Sequence, residues 1–194
     1  MRDRTDLIPG VVARRVTIAE RSRRRVAEAI DRLQETHSGF ETVEKTWHHP
    51  PEAYDRIVER FEAGTVGGAG AWTAREDGAV LLVRKEGETA WSDPGGKQEP
   101  GERLEAPARR EVREETGVAV ELTGVRQTHR IEVRDAERAR PPISRLIVIF
   151  DAEPVAGDPR PRPGEIAAVR WWRERPDELL YPELAEYPIP AAGR

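Results

Sequence analysis

The chain has 194 residues, of which 35% are charged and 37% hydrophobic, and its formal net charge at pH 7 is −4. Because it contains no cysteine, disulfide frameworks, thiolate metal sites and cysteine nucleophiles are excluded. No stretch reaches the ~20 apolar residues of a membrane span, and the mild acidity argues against a general nucleic-acid coat. We therefore expect a cytoplasmic protein that binds neither a membrane nor nucleic acid.

Residues 1–64 are predicted to form a helical N-terminal extension. Its first ten residues are expected to be a loosely docked tail. A helix begins after Thr17, because Thr17 and Glu20 have the spacing of a capping box. The helix is predicted to end at Gly39, which suits a left-handed C-terminal cap.

A second helix is predicted to begin near Pro51, because proline is well tolerated in the first turn of a helix, and to end at Gly64. Its apolar residues recur at spacings of three and four and are Tyr54, Ile57, Val58 and Phe61. This apolar face could bury against a second copy of the chain. One interpretation of the extension is therefore a dimerisation element that makes the protein a homodimer.

Residues 65–194 are predicted to form a second unit, which differs from the helical extension in its many short strands. Short strand-like runs alternate with turns rich in glycine and proline, namely Ala71–Arg75, Ala79–Arg84, Val118–Leu122, Gln127–Val133, Leu146–Ala152 and Ile166–Trp172. A short helix is expected from Asp177 to Leu180. Strands mixed with few helices, without regular alternation, favour an α+β fold or an α-β-α sandwich around a mixed β-sheet.

The segment 95–118 reads GGKQEPGERLEAPARREVREETGV and begins with a glycine-rich loop that can approach a ligand closely. A helix follows from Leu104 to Thr116, and Gly117 is its expected C-terminal cap.

Three glutamates, Glu111, Glu114 and Glu115, crowd one face of this helix at a cost of roughly 0.2–0.5 kcal/mol per like-charged pair. A cation would offset the repulsion, and clustered carboxylates select Mg²⁺ or Mn²⁺. The alternative is a solvated helix face without chemistry, which the glutamates alone would favour.

The wider spacing of this segment resembles the Nudix box, the sequence signature of the Nudix hydrolase family. The matching positions are Gly96, Glu102, Arg110, Glu111, Val112, Glu114, Glu115, Gly117 and Val118. The resemblance implies an α-β-α sandwich in which the box forms a loop, a helix and a loop. It also implies a hydrolase of nucleoside diphosphates linked to another group, with Mg²⁺ or Mn²⁺ as its cofactor.

The same resemblance implies a role for each polar residue of the box. The metal ligands it implies are Glu111, Glu114, Glu115 and the backbone carbonyl of Gly96. Glu102 and Arg110 resemble the pair that orients these ligands. The general base is either a glutamate of the box, such as Glu114, or Glu165, which follows a proline-rich loop in a place comparable to that of a distal family glutamate.

Other residues of the expected site carry weaker signals. Asp93 and Gln98 stand where many family members have apolar residues, which predicts a wetter entrance to the loop. A phosphate oxygen could be bound by one of three cations, Arg84, Lys85 and Lys97, although each could equally be an ordinary surface charge. A base could be stacked by Trp47, Tyr54, Trp72, Trp91, Trp171 or Trp172, although core positions are the alternative for these rings.

These observations predict an enzyme that hydrolyses a pyrophosphate bond in a small nucleotide. The substrate would be a nucleoside diphosphate linked to another group, such as a nucleotide sugar, or a nucleoside triphosphate. The alternative is a nucleotide-sensing or partner-binding module without significant turnover, in which the arginine run at 21–25 serves a binding arm. Binding without metal-dependent turnover would distinguish the second interpretation from the first.

Overall fold

The computed structural model describes residues 16–189 and contains three α-helices, seven strands and one 3-10 helix within that range. The helices are α1 (Ile18–Thr36), α2 (Pro51–Glu62) and α3 (Glu105–Thr116). The strands are β1 (Glu41–His49), β2 (Gly67–Ala74), β3 (Val80–Lys85), β4 (Gly95–Lys97), β5 (Ala119–Asp135), β6 (Ile143–Ala156) and β7 (Ile166–Trp172). The 3-10 helix is Pro182–Ala185.

All seven strands belong to one mixed sheet, with the order β1-β5-β6-β2-β3-β7 and with β4 paired to β2. The β1/β5 and β2/β6 pairs are parallel. The other pairs, β5/β6, β2/β3, β2/β4 and β3/β7, are antiparallel. The predicted α+β class with a mixed sheet is confirmed.

The two faces of the sheet are covered by different elements, as the alternation along β6 demonstrates. Leu146, Val148 and Phe150 point to one face, where they share a core with α1 and α3. Ile147 and Ile149 point to the other face, toward α2 and the C-terminal segment. Helical elements on both faces give the predicted α-β-α sandwich.

The N-terminal segment is only partly helical. The capping box at the start of α1 is present, because Thr17 N–H donates to Glu20 Oε2 at 2.8 Å and Glu20 N–H donates to Thr17 Oγ1 at 3.2 Å. The sequence interpretation missed β1, which pairs with β5 over nine residues. Exposed polar side chains alternate with half-buried ones along this edge strand, so its apolar signal is weak.

The described part of this segment, 16–64, is also not a separate body. Val26, Ile30 and Leu33 of α1 are buried in the same core as α3 and β6. The predicted tail, residues 1–10, lies outside the described residues.

The apolar face predicted on α2 is real, but it is buried within the chain. Tyr54 and Phe61 are 3% exposed and pack against Ile131 and Val133 of β5. The dimer interpretation of this face is therefore wrong, because a face that covers the chain's own sheet is closed to a partner. A homodimer would need another surface.

Two further expectations differ from the structure. The predicted strands Val118–Leu122 and Gln127–Val133 are parts of one long strand, β5, whose pairing with β6 is irregular near Gly124. The helix predicted from Asp177 to Leu180 is wrong. There Leu180 N–H donates to Trp91 O at 2.8 Å, and this contact holds the chain extended until the 3-10 helix begins at Pro182.

Candidate active site

Helix α3 presents its glutamates because its apolar residues fix its rotation on the sheet. Ala108 and Val112 are fully buried, and Val118 is 1% exposed. Gly117 ends the helix with φ +74°, in the left-handed region that glycine adopts without strain. As expected for the box, its two apolar valines face the core while the carboxylates turn toward β4.

Glu115 is the buried member of the carboxylate set, with 1% of its side chain exposed. Gly95 N–H donates to Glu115 Oε2 at 2.9 Å, and Lys85 Nζ lies 3.7 Å from Oε1. Oε1 accepts no hydrogen bond from the residues that the structure describes. Burial raises the pKa of Glu115 to about 7, although the charge of Lys85 and the Gly95 N–H act in the opposite direction.

Glu111 lies directly against the glycine loop. A Cβ atom at position 96 would stand 2.3 Å from Glu111 Cδ and Oε1, so the absence of a side chain at Gly96 is what allows the carboxylate to approach. Arg110 Nη1 donates to Glu111 Oε1 at 2.8 Å. The structure thus brings together three of the predicted ligand residues, with Glu111 at Gly96 and Glu115 at the neighbouring Gly95.

Arg110 and Glu102 form a forked ion pair that ties the loop to α3. Arg110 Nε donates to Glu102 Oε1 at 3.1 Å, and Nη2 donates to Oε2 at 3.2 Å. The same Nη2 donates to Lys97 O at 3.0 Å. The hydrogen bonds from Arg110 lower the pKa of the Glu102 carboxyl below its ordinary value. The orienting role that the resemblance implies for the pair stays a prediction.

Glu114 and Glu165 meet through one arginine that sequence reasoning did not single out. Arg162 Nη1 lies 3.0 Å from Glu114 Oε2 and 3.3 Å from Glu165 Oε2. Glu165 immediately precedes β7 and is close enough for its charge to raise the pKa of Glu115. The structure therefore places Glu165 beside the glutamates of α3, and its role as general base stays a prediction.

The donor set of this site fits a hard divalent cation. Carboxylates and a backbone carbonyl are oxygen ligands of the kind Mg²⁺ and Mn²⁺ prefer. Glu115 Oε1, which accepts no hydrogen bond from the described residues, is a buried acceptor that such an ion would satisfy. Within residues 16–189, however, no three acidic or histidine side chains converge as a ready metal cluster. Instead Arg110 and Lys85 neutralise the repelling carboxylates of Glu111 and Glu115.

The buried position of Glu115 predicts a pH dependence of stability without metal. Its folded pKa of about 7 exceeds the ordinary value of 4.5, so between these values the folded state holds more protons than the unfolded state. The free energy of unfolding contributed by this group is full below pH 4.5 and falls as pH rises to 7, by about 3 kcal/mol. Glu115→Gln is expected to remove this fall, as urea unfolding between pH 5 and 8 with a chelator would measure.

The exposed Glu114→Gln provides the control for that measurement, because its carboxylate is 41% exposed. It should keep the wild-type slope of stability against pH. A wild-type curve parallel to that of Glu115→Gln over this range would contradict the shifted pKa.

The loop entrance is drier than the sequence predicted, because Gln98 is buried with 7% exposure. Its Oε1 accepts from Val66 N–H at 2.8 Å, and its Nε2 donates to Glu102 O at 2.7 Å. The side chain thus satisfies backbone groups on both sides of the loop. The expectation of a wetter entrance is wrong at this position, while Asp93 is half-buried, and burial raises its pKa to about 7.

Gln98→Ala is expected to lower the free energy of unfolding by about 2 kcal/mol, since it leaves the half-buried Val66 N–H and Glu102 O without this partner. Urea unfolding monitored by circular dichroism would measure the loss. Glu99→Ala at the exposed neighbouring position is the control and should change stability by less than about 0.5 kcal/mol. Equal stability of the two variants would show that the Gln98 contacts contribute nothing.

A cavity of about 220 Å³ opens on the sheet face beside the glycine loop, and we refer to it as the sheet cavity. Its floor is a row of paired residues across three strands, Gly68 on β2, Ile147 on β6 and His129 on β5. Gly96 and Lys97 line one side of the cavity, and Gly96 is itself one of the predicted metal ligands. The cavity is therefore adjacent to the predicted metal site. A bound molecule could therefore reach the glutamate site and the cavity together.

The far wall of the sheet cavity is held by a polar network between the C-terminal segment and β5. Tyr187 OH donates to Gln127 Oε1 at 2.9 Å, and the same oxygen lies 2.7 Å from His129 Nε2. Glu183 pairs with Lys45 of β1 and lies 3.6 Å from His129 Nδ1. These contacts fix the wall that a substrate would meet.

The remaining cations and rings divide between the cavity and the core. Lys85, Lys97 and Trp47 line the sheet cavity. Arg84 does not, because it donates to Glu88 O at 3.1 Å and lies over the Trp91 ring. The other candidate rings pack elsewhere, with Trp72 against Tyr187, Trp91 against Trp172, Trp171 beneath Arg75, and Tyr54 donating to Pro141 O.

Several cavity residues escaped the sequence interpretation, namely His129, Arg145, Tyr181, Glu183 and Tyr187. The sequence around His129, Tyr181, Glu183 and Tyr187 does not indicate a site, because only long-range contacts bring these four residues together. Arg145 did carry one, since it is a lone charge inside the apolar run ISRLIVIF. A charge within a run that otherwise reads as a buried strand is a sign of function that could have been used.

None of the helices between residues 16 and 189 combines the length and apolar character needed to cross a bilayer.

Comparison with known proteins gives relatives of the same kind. The chain is 45% identical over 69 residues to "Nucleoside diphosphate-linked moiety X motif 6" of Xenopus laevis, covering 33% of this chain and 32% of that protein. It is 32% identical over 105 residues to a "MutT-like protein" of Streptomyces ambofaciens, covering 54% of this chain and 60% of that protein. The chain thus spans less than two thirds of either relative.

Among solved structures, a MutT NUDIX hydrolase from Burkholderia pseudomallei is 28% identical with a TM-score of 0.46, covering 59% of this chain and 88% of the other. The family model for the NUDIX domain matches residues 64–189, which is more than half of the chain. This range contains the glycine loop, α3 and Glu165, and the chain therefore belongs to the NUDIX family.

Proposed function

We propose that the protein is a pyrophosphohydrolase that cleaves a phosphoric anhydride bond in a small nucleotide, with Mg²⁺ or Mn²⁺ as its cofactor. The substrate is a nucleoside diphosphate linked to another group, such as a nucleotide sugar, or a nucleoside triphosphate. The observation that carries the proposal is the buried Glu115 Oε1, which accepts no hydrogen bond from the described residues and lies near Glu111 and the Gly96 loop, at the edge of the sheet cavity. Family membership supports the same class of reaction.

The residues that would hold the ions are Glu111, Glu114, Glu115 and the Gly96 carbonyl. Bound divalent ions would supply charge neutralisation at the phosphates and a lower pKa of the attacking water. Arg110, through its fork to Glu102 and its bond to Glu111, fixes the ligands so that little reorganisation is needed during the reaction.

Other residues of the chain would bind the substrate and move a proton. Lys85 and Lys97 line the sheet cavity next to the glutamates, where their charges attract phosphate oxygens. The carboxylate of Glu165 would accept the proton of the attacking water. In the structure this carboxylate forms a salt bridge with Arg162.

The test is a panel of nucleoside triphosphates, nucleotide sugars, ADP-ribose and dinucleotides incubated with Mg²⁺ or Mn²⁺, with product analysis by chromatography. Release of a nucleoside monophosphate or of pyrophosphate would support the proposal and identify the bond that is cut. Saturable nucleotide binding with every compound left intact would instead support the sensing module. Of the arginine run that this alternative invokes, Arg21 pairs with Glu62 and Arg25 donates to Phe61 O, while Arg23 and Arg24 are exposed.

A further inference from the structure

Arg145 on β6 is a charged side chain directed into the sheet cavity without a counter-ion. It is half-buried and lines the cavity together with Ile147 and Trp47. Among residues 16–189, no carboxylate or carbonyl pairs with its guanidinium in a hydrogen bond or salt bridge. A buried charge without a partner costs free energy, so the position suggests a ligand that supplies the missing anion.

A second guanidinium lies near Arg145, although it lines a neighbouring pocket and not the sheet cavity itself. Arg60 of α2 lines a small pocket together with Arg145, and its Nη2 donates to Gln98 O at 2.5 Å. Burial and the charge of Arg60 both lower the pKa of Arg145. Because Arg60 is held by a neutral carbonyl, its charge is not cancelled, and the two arginines together present about two positive charges.

Within residues 16–189, the acids that line this cavity are Asp93 and Glu183, and neither forms an ion pair with Arg145. Glu183 is paired with Lys45 and faces His129. Lys97, on the rim, adds a further positive charge. The arginine end of the sheet cavity therefore carries positive charge without a counter-ion, whereas at the glutamate site Arg110 and Lys85 pair with the carboxylates of Glu111 and Glu115.

The two ends of the cavity lie on strands that are not neighbours in the sheet. Arg145 lies on β6, and Gly96 lies on β4, with β2 between them. Gly96 pairs with Ala69 of β2, and Ala69 pairs with Val148 of β6. Arg145 precedes Val148 by three residues, so Arg145 and Gly96 are offset by three positions along the strand direction. Strand geometry then separates their Cα atoms by roughly 14 Å, which is the scale of a nucleotide unit.

We propose that Arg145 determines substrate specificity by binding a phosphate monoester on the substrate, separate from the pyrophosphate that is cleaved. A guanidinium binds phosphate oxygens in bidentate geometry. A phosphate monoester carries a charge of about −1.5 to −2 near pH 7, which Arg145 and the charge of the neighbouring Arg60 would together balance. The proposal rests on the proposed function for the identity of the substrate. It names that substrate as a nucleotide diphosphate compound with an additional phosphate.

The first test does not depend on turnover. Inorganic phosphate is titrated into the metal-free protein with a chelator present, followed by calorimetry, with acetate as the carboxylate comparison. We expect saturable phosphate binding that is weakened at least ten-fold in Arg145→Gln and partly restored in Arg145→Lys. Arg23→Gln, at an exposed position of α1, should bind phosphate as the wild type does.

Unchanged phosphate binding in Arg145→Gln would overturn the proposal, and so would tighter binding of acetate than of phosphate. Equal binding losses in Arg145→Gln and Arg23→Gln would overturn it as well, because the effect would then be general electrostatics. Circular dichroism of each variant verifies that it is folded before the titration.

The second test compares hydrolysis of nucleotide diphosphate compounds with that of the same compounds bearing one extra phosphate on either ribose or on the linked group. We expect at least one pair in which the wild type prefers the phosphorylated member, and a preference reduced at least ten-fold in Arg145→Gln, mainly through KM. The proposal is refuted if Arg145→Gln does not reduce a preference for the phosphorylated compound in any pair. If no compound is hydrolysed at all, the proposed function fails, and the phosphate titration alone decides the role of Arg145.

Discussion

Glu111→Gln and Glu115→Gln are each expected to lower the rate of pyrophosphate hydrolysis by several orders of magnitude. An amide offers one oxygen acceptor and no charge, so it holds a hard divalent ion far more weakly than a carboxylate does. A thousand-fold loss corresponds to about 4 kcal/mol of transition-state stabilisation. The measurement is the initial rate at saturating Mg²⁺, with thermal unfolding to establish that each variant keeps the fold.

The fold should survive both changes, because glutamine has nearly the same shape as glutamate. At Glu115 the amide oxygen can still accept from Gly95 N–H. Glu105→Gln, in the first turn of the same helix, is the matched control and should keep the wild-type rate. Full turnover in both Glu111→Gln and Glu115→Gln would refute their assignment as metal ligands.

The part of the site that was predictable from sequence is the part that local structure determines. Gly96, Glu111 and Glu115 belong to one short loop and the helix that follows it, so their spacing along the chain nearly fixes their spacing in space. The bounds of α1, α2, α3 and β7 were likewise predictable, because caps, prolines and apolar periodicity act over a few residues. The α+β class followed from the mixture of these elements.

The far wall of the sheet cavity was not predictable, because it depends on long-range pairing. The parallel pairing of β1 with β5 places Lys45 near Glu183, which lies 138 residues later in the chain. Nothing local to either residue signals this contact. The strand β1 was missed for a related reason, since an edge strand needs few apolar residues, and its neighbours in sequence are two clear helices.

The same long-range contacts corrected the interpretation of the N-terminal segment. An apolar helix face predicts burial without saying against what. On α2 the face formed by Tyr54 and Phe61 meets Ile131 and Val133 of its own chain. The described part of the segment thus helps to build the sheet on which the cavity lies, and β1 contributes Trp47 to its lining.

Gly96→Ala is expected to reduce kcat/KM about 100-fold while changing the free energy of unfolding by less than about 1 kcal/mol. The added Cβ would stand 2.3 Å from the Glu111 carboxylate, so one of the two must move. Because the obstructed atoms are the end of a flexible side chain, the fold can accommodate the methyl group by displacing the carboxylate. A displacement of about 1 Å at a catalytic group is sufficient for a loss of this size.

The matched control is Gly124→Ala, which makes the same chemical change on β5. There the new Cβ would approach nothing closer than Asp151 Oδ2 at 3.9 Å, which is an ordinary contact. We expect Gly124→Ala to keep the wild-type kcat/KM. A higher Mg²⁺ concentration should restore part of the activity of Gly96→Ala, because displacement of one ligand weakens ion binding without abolishing it. Equal kcat/KM values in the two variants would mean that the position of the Glu111 carboxylate against the glycine loop is irrelevant to the reaction, and the metal site would then have to lie elsewhere.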